Sequence, residues 1–182
     1  MKKFLACLMA AAFLFSATAC GSKGNDVTYA SSKDVLNTVV ETKELAFPAI
    51  GGTFENPVEN GAGELDVEAI DQLDMVALGE EQSKDIADAS NLIHAMNGNL
   101  FTAAAFKLND GVDVKAFATA YEEGIKNRQW LCGAPSIVLV IDAGDNYVVT
   151  IYGDQEVVAE FKDTALESLK GSEVLVEESL EI

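Results

Sequence analysis

The sequence predicts an α+β domain, a single antiparallel sheet with helices packed on one face, and three stretches in the second half of the chain carry that prediction. Leu100 to Leu108 is an apolar run ending at Asn109-Asp110-Gly111, a strong turn signal after a strand. Behind Asp113, a good cap, Val114, Phe117, Ala118, Tyr121 and Ile125 recur at helical intervals. Two more apolar runs, Ile137 to Ile141 and Tyr147 to Tyr152, are joined by Asp142-Ala143-Gly144-Asp145-Asn146, the pattern of a hairpin.

The other elements follow from the same signals. Asp154 can cap a helix whose Val158, Phe161, Ala165 and Leu169 share a face and which stops at Gly171. Val174 and Val176 alternate with charged neighbours, as in an edge strand or a tail. Each helix has one apolar stripe to bury, and the order from Leu100 onward is compatible with a ferredoxin-like arrangement. Upstream, Val35, Leu36, Val39 and Val40 behind Ser31 and Ser32 predict a short helix over Lys33 to Lys43. Glu44 to Glu64, punctuated by Pro48, Gly51, Gly52, Pro57, Gly61 and Gly63, reads as a long loop pinned by Phe47, Ile50 and Phe54. Leu73 to Leu78 reads as a strand. Lys84 to Met96, with Ile86, Ala89, Ile93 and Met96 along one face and Asn97-Gly98 as its stop, reads as a helix.

Residues 1–19 have the order of a signal peptide: Lys2 and Lys3, the apolar stretch Phe4 to Phe15, then small residues before Cys20. The apolar core is shorter than the ~20 residues a bilayer span needs. Thr18, Ala19 and Cys20 fit the bacterial lipobox, while Ala17 stands where leucine is usual; Ala17-Thr18-Ala19 also fits an ordinary secretory cleavage site. The expected layout is a lipoprotein signal over 1–19, a lipidated Cys20 with a polar tether over 20–32, and the α+β domain over 33–182. Two or three acyl chains, palmitate among them, would anchor Cys20 at the cell membrane on its extracytoplasmic face.

Two of the 12 basic residues and none of the 30 acidic ones lie in 1–19, so the remainder carries a net charge of −20. Such a surface repels phosphate backbones and excludes nucleic acid as a partner. Cys7 belongs to the signal and Cys20 to the anchor. Cys132 is then left without a partner for an intramolecular disulfide, and the fold must rest on its core.

Catalytic and metal motifs do not stand out. There is no Cys-x-x-Cys, Gly-x-Ser-x-Gly or phosphate loop. His94 is the single histidine, so metal ligation and a Cys132/His94 nucleophile pair both have little to build on. Asp142, Asp145 and Asn146 lack the ordered oxygen spacing of a calcium loop and are read as turn residues. No catalytic residue, cofactor or metal ligand is assigned. The least ordinary segment is Asn127 to Pro135, in which Arg128, Trp130 and Cys132 form either an interaction loop or a plug beneath the preceding helix.

Asn97 to Thr102, the run Lys126-Asn127-Arg128-Gln129-Trp130-Leu131-Cys132-Gly133 and the hairpin Ile137 to Tyr152 together resemble a family of small lipoproteins from clostridial and related Gram-positive bacteria, known as a domain of unknown function. The resemblance spans roughly Lys33 to Leu169 and implies a lipid-anchored extracytoplasmic protein. It supplies no catalytic residues. The expected role is a non-enzymatic binding or interaction module, held to the membrane by its lipid and meeting a protein or small ligand. The alternative is a small-molecule or cation-binding accessory protein of a membrane transporter. A cleft lined by Phe47, Phe54 and Trp130 would favour a ligand; a flat exposed patch there would favour a protein.

Overall fold

The computed structural model describes residues 28–131 and 133–180. The expected signal over 1–19, the expected lipidation site Cys20, and Cys132 lie outside the described residues.

Ser31 opens α1 (Ser32–Thr42), its hydroxyl accepting from the Asp34 N–H, and Val35, Leu36 and Val39 turn into the core. Then come three short strands, β1 (Ala49–Gly52), β2 (Pro57–Glu59) and β3 (Gly63–Leu65). This corrects the long loop expected over Glu44 to Glu64. Strands of three or four residues, interrupted by glycine and proline, are too short to show an apolar alternation that a sequence reading could detect. Helix α2 (Ile70–Asp74) and a turn replace the strand expected at Leu73 to Leu78. Leu73, Val76, Ala77 and Leu78 are all buried, and a short apolar run does not distinguish a buried turn of helix from a strand.

One turn of helix, α3 (Glu80–Ser83), precedes β4 (Ile86–His94), a strand where a helix was expected over Lys84 to Met96. β4 is covered on both faces along Ala89, Ser90, Asn91 and Leu92. A strand buried on both sides loses its alternation, and the spacing of Ile86, Ala89 and Ile93 then imitates a helical face. The elements expected downstream are present: β5 (Phe101–Leu108), α4 (Val114–Asn127), β6 (Ile137–Gly144), β7 (Tyr147–Gly153), α5 (Gln155–Ser168) and β8 (Glu173–Ser179). Asp113 and Asp154 cap α4 and α5, each accepting from two backbone N–H groups of the first turn.

All pairings are antiparallel, in the order β2-β1-β4-β5-β7-β6-β8, with β3 also on β4. The fold is thus a single α+β domain on one antiparallel sheet, as expected, but the helices cover both faces rather than one. Connectivity explains this. β5-α4-β6 steps over β7, and β7-α5-β8 steps over β6, in the same direction across the sheet, while β5 and β7 run oppositely. Right-handed crossovers then place α4 and α5 on opposite faces. A ferredoxin-like order would set β8 beside β5, an edge that β4 already holds as hairpin partner.

Helices α1 and α5 bury Ala103, Ala105, Leu139, Ile141, Val149 and Ile151 on one face. Helices α2 and α4 bury Ala104, Phe106, Val138, Val140 and Val148 on the other. Tyr29, in the stretch read as tether, is buried edge-on against Tyr147 at 5.8 Å, and Ser32 N–H donates to Asp88 at 2.7 Å. Among the described residues, packing into the domain therefore reaches upstream of Lys33 to Tyr29.

Candidate functional site

At the edge where β1 meets β4, the sheet face shared with α2 and α4 opens into an apolar groove of about 430 Å³. Its floor follows from register: Ile50 pairs with Ile93, and both stand on the sheet face that continues through the buried Thr102 and Tyr152 of the neighbouring strands. Met75, just after α2, forms a wall. Phe54, in the β1–β2 turn, and Met96, in the β4–β5 turn, stand over the opening with 95% and 85% of their surface exposed.

The backbone beneath is held by two devices. Gly51, Gly52 and Gly63 let β1 and β3 cross backbone on backbone: a Cβ on Gly63 would lie 1.9 Å from the Gly52 nitrogen. Where β1 leaves β4, the fully buried Asn91 replaces the lost ladder partner. Its amide donates to the Gly52 carbonyl at 3.1 Å and its carbonyl accepts from the Gly52 N–H at 2.5 Å. A buried amide with both ends satisfied fixes a bend without the penalty of an orphaned polar group.

The turn carrying Met96 is held as firmly. His94 Nδ1 accepts from the Met96 N–H at 3.1 Å and the Asn97 N–H at 3.4 Å, and its ring stacks on Phe47 at 4.9 Å. Thr102 Oγ1 donates to the Gly98 carbonyl at 2.9 Å. The sole histidine is thus a turn-holding acceptor. Asp145 and Asn146 take left-handed backbone angles in the β6–β7 turn, and Asp142 accepts from the Gly144 N–H at 2.8 Å, so this acidic stretch serves the hairpin.

Arg128 and Trp130 are brought together behind the Met75 wall. Arg128 grips the Asp74 carboxylate with two hydrogen bonds, 2.8 and 3.0 Å, and also donates to the Asp74 carbonyl. Its guanidinium lies 5.5 Å from the Trp130 ring centre. Trp130, half-buried, packs on Tyr152 at 5.2 Å and donates to the Ile125 carbonyl at 3.4 Å. Hydrogen bonding from Arg128 lowers the Asp74 carboxyl below its ordinary range despite partial burial. Burial raises the phenols of Tyr121 and Tyr152, which donate to the carbonyls of Val76 and Met75 at 2.8 and 3.5 Å. Three side chains from α4, its C-terminal cap and β7 therefore hold the end of α2 in place.

Phe47, Phe54 and Trp130 do not line one cleft. Phe47 belongs to the α1/α5 face, packed on Phe101 at 5.0 Å, while Trp130 stands behind the groove and Phe54 over it. Sequence reasoning passed over Met75, Ile93 and Met96 as site residues. The available signal was Met96 immediately before Asn97-Gly98, since a large apolar residue at a turn has no core to enter. A second hollow of about 320 Å³ beside Phe47 and Asn60 has no comparably exposed apolar side chain. Among the described residues no group of three His, Cys, Asp or Glu side chains converges to hold a metal, and no helix is long and apolar enough to cross a membrane. Compared with protein-family models, with curated proteins and with solved structures, the chain gives no match in any of the three.

Proposed function

We propose that this chain is a lipid-anchored extracytoplasmic binding module, non-enzymatic and tethered to the cell membrane through Cys20, and that the β1–β4 groove is its binding face. The observation that carries the binding role is the pair Phe54 and Met96, exposed over an apolar floor while their own turns are fixed by internal hydrogen bonds. A contiguous apolar patch on a highly charged chain marks an interaction site. The anchor rests on the order of residues 1–20. The likeness to clostridial lipoproteins in the Trp130 segment and the hairpin supports the same compartment.

A specific observation also favours the second reading, a small-molecule accessory protein of a transporter: about 430 Å³ lies within the usual range for small-ligand sites. Either role uses the groove.

Two experiments test the proposal. Radioactive fatty acid should label the wild-type chain and not Cys20→Ala; equal label in both removes the anchor. Nile red, a neutral apolar dye, should brighten on binding the full chain and lose that signal in Phe54→Ser/Met96→Ser, with near-UV circular dichroism unchanged. A signal indifferent to both substitutions removes the groove as the binding face.

A further inference from the structure

We propose that the groove receives a cationic peptide segment bearing apolar side chains, supplied by an extracytoplasmic partner protein. This rests on the groove being the binding face and adds the chemistry of what fills it.

Charge complementarity is the main argument. Glu55 follows Phe54 directly and is exposed. Glu59 pairs with Ile50 across β1 and β2, which puts its carboxylate on the groove side of the sheet, and it too is exposed. Among the described residues no cation pairs with either. Arg128 is engaged by Asp74, Lys126 by Glu122 and Glu178, and Lys43 by Glu160. Among the described residues, the lysines outside any ion pair are Lys84, Lys115 and Lys170. They flank the start of β4, the end of β5 and the start of β8, all at the far end of the strands. The groove is therefore an apolar trough with an acidic rim in a chain whose residues 20–182 carry a net charge of −20, and its complement is apolar with a positive margin.

Placement argues for a protein rather than the anchoring membrane. Tyr29, where the tether enters, packs on Tyr147 on the α1/α5 face. The groove floor is on the opposite face, at the level of Tyr152, five residues or about 17 Å further along β7. Cys20 to Tyr29 is nine residues and spans at most about 32 Å when fully extended. Bringing the groove to the membrane would straighten the tether around the domain, and an anionic lipid surface would repel Glu55 and Glu59.

The sheet edge favours an extended segment. β2 is the last strand in the order and its outer edge has no partner among the described residues. A peptide lying beside it can bond main chain to main chain while alternate side chains enter the groove.

The test uses the full chain in phosphatidylcholine nanodiscs and a fluorescein-labelled heptapeptide of alternating lysine and leucine, followed by anisotropy. This peptide should bind loaded discs at least roughly tenfold more tightly than empty ones, and more tightly than lysine/serine or glutamate/leucine counterparts. Phe54→Ser/Met96→Ser and Glu55→Lys/Glu59→Lys should each weaken it by about tenfold, whereas Glu167→Lys/Glu173→Lys should not. Equal binding of the lysine/serine peptide, equal binding of the glutamate/leucine peptide, equal loss in the remote charge reversal, or binding to empty discs would each overturn the proposal. Nile red separates the two levels. Dye uptake sensitive to Phe54 and Met96 without peptide preference refutes the peptide alone, and failure of both refutes the binding face itself.

Discussion

Gly63→Ala should disconnect the groove from the rest of the domain. The added Cβ would meet the Gly52 nitrogen at 1.9 Å, the Gly52 Cα at 2.3 Å and the Gly51 carbonyl carbon at 2.4 Å, all backbone atoms that no rotamer change can move aside. Non-bonded heavy atoms rest near 3.5 Å, so β1 and β3 would have to separate by about 1.6 Å. Overpacking of this kind costs about 1–3 kcal/mol. The displacement also draws Gly52 away from Asn91, leaving a fully buried amide unsatisfied at a further ~1–3 kcal/mol. A loss of roughly 4 kcal/mol, with a urea m-value near 2 kcal/mol/M, lowers the unfolding midpoint by about 2 M. Nile red binding should fall as well, because β1 carries Ile50 and leads into Phe54. Gly124→Ala is the control: nothing lies within 4 Å of its Cβ, and in the exposed middle of α4 it should stabilise by about 0.5–1 kcal/mol. If Gly63→Ala lowers stability by less than about 1 kcal/mol, the tight crossing and the Asn91 bridge do not hold β1 in place.

Three further outcomes are expected. Trp130→Ala removes a half-buried ring from Tyr152 and should cost about 2–3 kcal/mol by urea denaturation, below the value for a fully buried tryptophan; a neutral substitution would show that Trp130 does not brace the Met75 wall. Arg128→Met should cost only about 0.5 kcal/mol at pH 6, because Asp74 is largely exposed and the pair is screened. The Asp74 carboxyl is held below its ordinary value, so this contribution is present above about pH 4 and lost as pH falls through the lowered value; the difference between wild type and variant should shrink as pH falls below about 4, and a difference constant with pH would contradict the pairing. Burial raises all four tyrosines, Tyr29, Tyr121, Tyr147 and Tyr152. Their stabilising contribution is complete below about pH 10 and declines above it, so tyrosinate absorbance should rise together with loss of near-UV dichroism. Absorbance rising near pH 10 with the fold intact would contradict their burial.

The second half of the chain was legible because its signals are local. Asp113 and Asp154 cap their helices through their own side chains, Asp145-Asn146 makes its turn by adopting left-handed angles, and the apolar stripes of α4 and α5 repeat over several turns. The helix expected over Lys33 to Lys43 was legible in the same way, through its Ser31 cap, but the stretch from Ala49 to His94 misled for the opposite reason. Within Ile86 to His94, the run Ala89 to Leu92 is buried on both faces, and that erased the alternation that identifies a strand. Gly51, Gly52 and Gly63 look like loop punctuation, yet they are absent side chains that let two strands cross.

Sequence alone determined the α+β class, the acidic surplus and the caps, since each is read from composition or from residues close together in the chain. Tertiary structure decided the placement of helices on both faces, because that follows from which edge of β5 is already taken by β4. It also decided the groove. Ile50, Phe54, Met75, Ile93 and Met96 come from three separate stretches, and their union on one face is set by strand register and by Asn91, a side chain whose role exists only once Gly52 lies beside it.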